Sequence, residues 1–339
     1  MDFDVNKIPS SCLLETDNRN TFAISKWVSP KRTRSYPFER VFNTLHISKK
    51  ITIIPIIKDE GLRGERDFIQ WDTVSLMSLL DVFVIFAYYD SAEKKGEKIT
   101  NQQFDSGYVR LKIKEIEQFH SSALHWNLNE LKTNLHCILD NVKIAYANIE
   151  KSTGIKLHGV AGIENFKIRI GDDVSSFMEF SRGKAQKAQL REFVTLQPKE
   201  SLSTLSKAKM TIFNYLGGAY FFTVDEVMLL KDTLFLIESK HSRKTVLPSK
   251  GDIKDGLLKM ILYSNLTQVR ANEKTFKSKP VLKLTSSMLN GRISSTSSFA
   301  ELDLFFYGNQ FTNAQKEFIS VLLEEARENH FIVQIEYSK

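Results

Sequence analysis

The 339 residues are 42% hydrophobic, enough apolar surface for one large domain or two ordinary ones without covalent staples. Lys and Arg number 47 against 40 Asp and Glu, a formal charge of +7 that favours a polyanionic partner without requiring one. The two cysteines, Cys12 and Cys137, have no CxxC or Cys/His spacing, which argues against a disulfide framework or a zinc site and fits a reducing compartment.

The opening MDFDVNKIPSS places acids where a secretion leader needs a basic and then an apolar region. No stretch approaches the ~18 uncharged apolar residues of a membrane span. A soluble, cytoplasmic protein without a membrane partner is expected. Residues 26–40, KWVSPKRTRSYPFER, combine two prolines with basic side chains and read as a loop, in which Arg32 and Arg34 are candidates for phosphate contact. ITIIPII (51–57) reads as a strand with an edge or bulge at Pro55, and VFVIFAYY (82–89) as a strand apolar on both faces. Helical spacing from Trp71 to Leu80 between them predicts a β-α-β unit with parallel pairing. In KDEGLRGERDFIQWD the acids Asp59, Glu60, Glu65, Asp67 and Asp72 form a rival metal cluster, although Arg63, Arg66 and the glycines favour a solvated loop or a DNA-facing turn.

From Leu128 the apolar residues Leu131, Leu135, Ile138, Val142, Ala145 and Ile149 follow a three-four alternation that Gly154 closes, so one long one-sided helix is expected. About three heptads without a regular charge frame favour a helix laid on a sheet over a dimer seam. His120, His125 and His136 lack acid or cysteine partners at ligand spacing. A boundary is placed near residue 200, giving a region 1–199 for DNA recognition or dimerisation and a core 200–339.

Within that core, AYFFTVDEVMLL (219–230) and TLFLIESK (233–240) are two apolar, β-rich runs separated by Lys231 and Asp232, a hairpin signal. GDIKDGLLKMILYSNL (251–266) puts Ile253, Leu257, Leu258, Ile261 and Leu262 on one helical face and turns Lys254, Asp255 and Lys259 away. PVLKL is a strand, TSSMLNGRISSTSS (285–298) a long polar loop, LDLFFY a strand, Asn313 to Arg327 an amphipathic helix and FIVQIEY a last strand. Alternating strands and helices make the class α/β.

The hairpin also carries charge. Glu238 and Lys240, two apart on a strand, share a face, and Asp225 on the partner strand can bring its carboxylate to Glu238 across the tight turn. Two hard oxygen donors suit Mg²⁺, which takes one or two protein carboxylates and keeps water and phosphate as its other ligands. The Ser239 backbone carbonyl is a further ligand candidate, and Glu226 competes with Asp225 for the role of first acid. Lys240 beside the metal would orient a water and offset charge building up on phosphorus. His241, Arg243, Lys244, Lys250 and Lys254 supply a basic rim for a nucleic-acid backbone. Gly217 and Gly218 allow either a turn or a close approach to DNA. Arg63, Asn290 and Arg292 are polar loop residues available for base contact.

These residues resemble the PD-(D/E)xK nuclease superfamily, and within it the Type II restriction endonucleases. TVDEVML followed by LIESK puts Asp225 in the first-acid position, Glu238 in the second and Lys240 in the lysine position, with Val224 where the eponymous proline would stand. NYLGGAYFFTVDE, KHSRK, GDIKDGLLKMIL and, upstream, IIPIIKDEG, QWDTVSLMSLL and SALHWN are also similar to such enzymes. The resemblance implies a restriction-endonuclease-like core, a mixed central sheet flanked by helices, with a large N-terminal α/β extension. It further implies Mg²⁺-dependent hydrolysis of double-stranded DNA by water at a specific site, in restriction-modification, by a prokaryotic cytoplasmic homodimer. No phosphate-binding loop or G-x-S-x-G is present, so no nucleotide cofactor and no serine nucleophile are expected.

Overall fold

The computed structural model describes residues 3–28, 30, 47–170, 175–177, 179, 208–213, 219–264, 266, 269–271 and 274–339. Arg32 and Arg34, Gly217 and Gly218 lie outside the described residues. Contacts divide the chain into two compact units, the first made chiefly of residues before 201 and the second chiefly of residues 221–339.

In the first unit, β1 (Ser11–Glu15) and β2 (Thr21–Lys26) are antiparallel, and β3 (Lys49–Pro55) runs parallel to β2. β4 (Ile57–Asp59) pairs antiparallel with β5 (Arg66–Phe68); α1 (Trp71–Leu79) then leads to β6 (Val82–Ala87), parallel to β3. The sheet order is β1-β2-β3-β6, and β3-α1-β6 is the parallel unit the sequence predicts. Ile51, Ile53, Ile54, Val84, Ile85 and Phe86 are fully buried, as befits strands covered on both faces. Pro55 marks neither an edge nor a bulge. It is the last residue of a central strand, beyond the end of the β2 pairing, where its missing N–H costs least.

Consecutive residues of β3 face opposite sides, and the chain uses this at Lys49 and Lys50. A hairpin of β7 (Tyr89–Lys95) and β8 (Lys98–Phe104) precedes α2 (Ser106–Gln118). The Lys49 ammonium donates to the Ile116 and Phe119 carbonyls where α2 ends, and Lys50 donates to Leu80 O at 2.7 Å where α1 ends. Each lysine thereby brings a positive charge to the carbonyls at the negative end of a helix.

The long helix expected from Leu128 is two helices, α3 (Ala123–Thr133) and α4 (Leu135–Thr153), parted at Asn134. Gly154 does close α4, with φ 68° in the left-handed region. α4 lies on β7, so it is a helix on a sheet, and α5 (Ala161–Ile170) follows. α3 covers the outer edge of β6: Asn127 accepts from Val84 N–H and donates to Val82 O, and Trp126 Nε1 donates to Val84 O. Edge groups that would otherwise invite pairing are thus satisfied.

β9 (Ala208–Phe213) and β10 (Ala219–Val224) form a two-stranded sheet. β11 (Glu226–Leu230) and β12 (Thr233–Ser242) make the antiparallel hairpin with Lys231 and Asp232 in its turn, Lys231 taking φ 53°. α6 (Lys250–Ser264), β13 (Val269–Ala271), β14 (Lys274–Ser286), β15 (Arg292–Ser294), α7 (Phe299–Tyr307), α8 (Asn313–Glu328) and β16 (Ile332–Tyr337) complete the chain. The second unit's sheet runs β11-β12-β14-β16-β15, with β12, β14 and β16 parallel and both outer pairings antiparallel. Leu282, Leu284, Val333 and Ile335 are buried in it, beside Ile253 and Leu257 of α6 and Ile319 and Leu323 of α8. The chain is therefore mixed α/β.

Three expectations fail in instructive ways. AYFFTVDEVMLL is interrupted at Asp225, which sits in a bend between β10 and β11. The polar loop 285–298 contains β15. LDLFFY is the body of helix α7, begun by a capping box in which Ser298 accepts from Glu301 N–H and the Glu301 side chain accepts from Ser298 N–H. The S-x-x-E signature precedes the apolar run, and its two satisfied donors favour a helix over the strand that aromatic content alone suggests.

Candidate metal and nucleic-acid site

β12 starts as a core strand and ends as a charged one. In its ladder with β11, Glu226 pairs with Ile237, and the ladder stops there, one step short of Asp225 and Glu238. With no β11 partner at that level, the Ser239 N–H donates to Asp225 Oδ2 at 3.0 Å. A strand residue's N–H and C=O point to the same edge, so the Ser239 carbonyl is directed to the side that Asp225 occupies. Glu226 is exposed, and Asp225 is the acid that meets Ser239.

Glu238 is 2% exposed. Its Oε1 holds Lys240 Nζ at 3.0 Å and its Oε2 holds Lys259 Nζ at 2.7 Å, so the buried carboxylate is compensated by two ammoniums. α6 delivers the second. Ser249 caps this helix by accepting from Asp252 N–H, and the helix packs on β12 and β14. It comes close because Gly256 has no side chain: a Cβ there would stand 2.5 Å from Leu282 Cδ1 and 3.6 Å from Lys240 Cε. Lys259, almost one turn on, then reaches Glu238. The sequence turns Lys259 to solvent; the structure turns it inward.

The rim is distributed around the end of β12. His241 and Arg243 are exposed, as is Lys244, on a stretch pinned where Ser286 Oγ donates to Thr245 O at 2.6 Å and Ser287 Oγ to Arg243 O at 3.1 Å. His241 Nδ1 lies 2.9 Å from Thr285 Oγ1, on the face of β12 opposite Lys240. Lys250 stacks over the Phe318 ring at 5.5 Å. Burial, and secondarily the neighbouring Lys250 charge, push the Lys254 ammonium below the usual lysine value. Arg292 is exposed on β15, while Asn290 is tied into the loop by donating its N–H to Asn309 Oδ1 at 2.7 Å.

The rival acidic stretch does not converge. Asp59 is fully buried, its Oδ1 accepting from Gly61 N–H (2.8 Å) and lying 2.9 Å from His158 Nδ1, its Oδ2 accepting from His158 N–H (3.1 Å). Glu60 pairs with Lys58 at 2.8 Å, which holds its carboxyl below the usual range, and Asp72 sits in the first turn of α1. Among the described residues no three His, Cys, Asp or Glu side chains gather into a metal-holding group. A cation here would rest on two carboxylates and one carbonyl. That donor set fits Mg²⁺: a carboxylate offers about four lone-pair sites, so Asp225 can accept from Ser239 and still take a cation. No helix among the described residues is long and apolar enough to cross a membrane. No family model, curated protein or solved structure matches the chain.

Proposed function

We propose that the chain is a Mg²⁺-dependent endonuclease that hydrolyses phosphodiester bonds of double-stranded DNA at a specific site, as a cytoplasmic homodimer in restriction-modification. One observation carries the reading. The Ser239 N–H reaches Asp225 at 3.0 Å while Glu238, the preceding residue, holds Lys240 at 3.0 Å, two contacts at the end of one hairpin that support reading these acids and this lysine, in the spacing of a PD-(D/E)xK nuclease, as one site.

Asp225, Glu238 and the Ser239 carbonyl are the groups to hold Mg²⁺, which when bound supplies Lewis-acid charge at the phosphate and makes water a better nucleophile at neutral pH. The chain's own groups do the rest. Lys240, oriented by Glu238, hydrogen-bonds the attacking water and offsets negative charge as the water oxygen bonds to phosphorus and gives up its proton to solvent, while the bond to the sugar oxygen breaks and that oxygen takes a proton from solvent. His241, Arg243 and Lys244 lie where the strand opens and contact phosphates on either side, which positions the backbone without reading its sequence.

Incubating the purified chain with plasmid DNA of known sequence and Mg²⁺, then mapping the ends, tests this. Discrete fragments are expected, none in EDTA, with a loss of about a thousandfold in rate for Asp225→Ala. A smear would mark a less specific nuclease of repair or defence. Intact DNA from both proteins, with DNA binding that survives Lys240→Ala, would replace the reading with a non-catalytic DNA-binding protein.

A further inference from the structure

Glu238 is served by one more ammonium than a carboxylate needs. Asp225 and Glu238 contribute two negative charges; Lys240 and Lys259 contribute two positive ones, at 3.0 and 2.7 Å from the same carboxylate. These four charges sum to zero. A divalent cation added to it leaves an excess of two positive charges in a place where Glu238 is 2% exposed, an arrangement that burial makes costly.

We infer that Lys259 is a built-in competitor for the divalent cation: its ammonium holds Glu238 Oε2 until a metal ion takes that oxygen, and so it sets the affinity of the site for metal. The inference rests on the nuclease reading above. The two lysine side chains are equally exposed, at 21%, so their origins are what separate them, Lys259 coming from α6 and Lys240 from β12. Lys240 lies on the same strand as Glu238, only two residues along, and its stem runs past the backbone of α6 at Gly256. Lys259 comes from the helix on a four-carbon stem with its side chain 21% exposed, so its charge can withdraw to water while the stem stays packed. What brings it to Glu238 is the close approach at Gly256, a feature of the fold separate from the acid-and-lysine spacing. Lys259 is thus a positioning residue for Glu238, holding it ordered before the metal arrives and yielding it afterwards.

Calorimetric titration of the DNA-free full chain with Mg²⁺, for the wild type and Lys259→Met, reads this without reference to cleavage. The variant is expected to bind Mg²⁺ at least roughly tenfold more tightly, and Mg²⁺ to raise its melting temperature more than that of the wild type. A second measurement needs no variant to fold. Lysine acylation of the wild type, read by mass spectrometry, should rise several-fold at Lys259 on adding Mg²⁺ and stay level at Lys240. Equal or weaker Mg²⁺ binding by Lys259→Met overturns the inference and leaves the nuclease reading standing, as does release of Lys240 in place of Lys259. A wild type that neither binds Mg²⁺ nor cuts DNA removes both.

Discussion

Two carboxylates are buried in this molecule in opposite ways. Asp59, in the first unit, is sealed by donors that cannot leave: the N–H groups of Gly61 and His158, with the His158 ring closing the set at 2.9 Å. Glu238, in the second, is held by the ammoniums of Lys240 and Lys259 at the ends of flexible stems. Backbone donors are fixed by the fold, so the first arrangement joins two segments, β4 and the chain around His158, and can do little else. Side-chain ammoniums can be exchanged for another cation. The lesson is that burial of an acid says less about chemistry than the mobility of whatever neutralises it.

The contrast can be broken most directly by comparing stability. Asp59→Asn removes the charge and one acceptor from three donors and should cost about 3–5 kcal/mol. Glu238→Gln leaves two lysines, each with its side chain 21% exposed, that can rehydrate; it should cost about 1–2 kcal/mol while abolishing the proposed Mg²⁺-dependent cleavage. Urea unfolding of both variants decides. Equal losses would mean that Glu238 is as structural as Asp59.

A smaller effect sharpens the same comparison from the helix side. Gly256→Ala puts a methyl 2.5 Å from Leu282 Cδ1 and should cost about 1–3 kcal/mol as α6 backs away. If the Glu238 cluster depends on that approach, the variant also loses the proposed cleavage, and a variant that is destabilised yet cuts DNA as fast as the wild type would show that α6 matters to packing alone.

The smallest effect lies in α7 and serves as a reference for fixed, backbone-held acids at the surface. The Ser298 N–H, and then its hydroxyl, hold the Glu301 carboxyl below the usual carboxylate range. Because the folded value is the lower one, the stability this contributes is present above the ordinary carboxylate range and disappears as pH falls through the lowered value. Melting temperatures of the wild type and Glu301→Gln should therefore differ near neutrality and converge in acid. Ser298→Ala should cost about 1 kcal/mol. A gap that persists at low pH would count against the capping box.

How much of this the sequence discloses follows from how local each cause is. The β3-α1-β6 unit, the β11-β12 hairpin, α6 and α8 are written in short-range periodicity and a two-residue turn. The turn alone sets the register that pairs Glu226 with Ile237, one step short of Asp225 and Glu238. Lys259 escapes because its position answers to a glycine three residues earlier whose role is to admit a neighbouring strand, and helical periodicity treats that glycine as neutral. α7 escapes because Phe, Leu and Tyr at successive positions satisfy strand and helix patterns alike, leaving the S-x-x-E signal to decide. The bend at Asp225 has no marker in its neighbours, since Val224 and Val227 favour an unbroken strand.

Lys49 and Lys50 have a consequence beyond satisfying two helix ends. Each ammonium fits only one side of β3, Lys49 toward the end of α2 and Lys50 toward the end of α1. A slip of β3 by one residue against its neighbours would send both to the wrong sides, leaving two helix ends without their cations and two charges facing apolar surface. The adjacent lysines therefore act as a two-pronged key at the mouth of the strand, adding to a buried polar pair inside it, Ser25 Oγ donating to Thr52 Oγ1 at 2.8 Å, so that one alignment of β3 is selected from two places along its length.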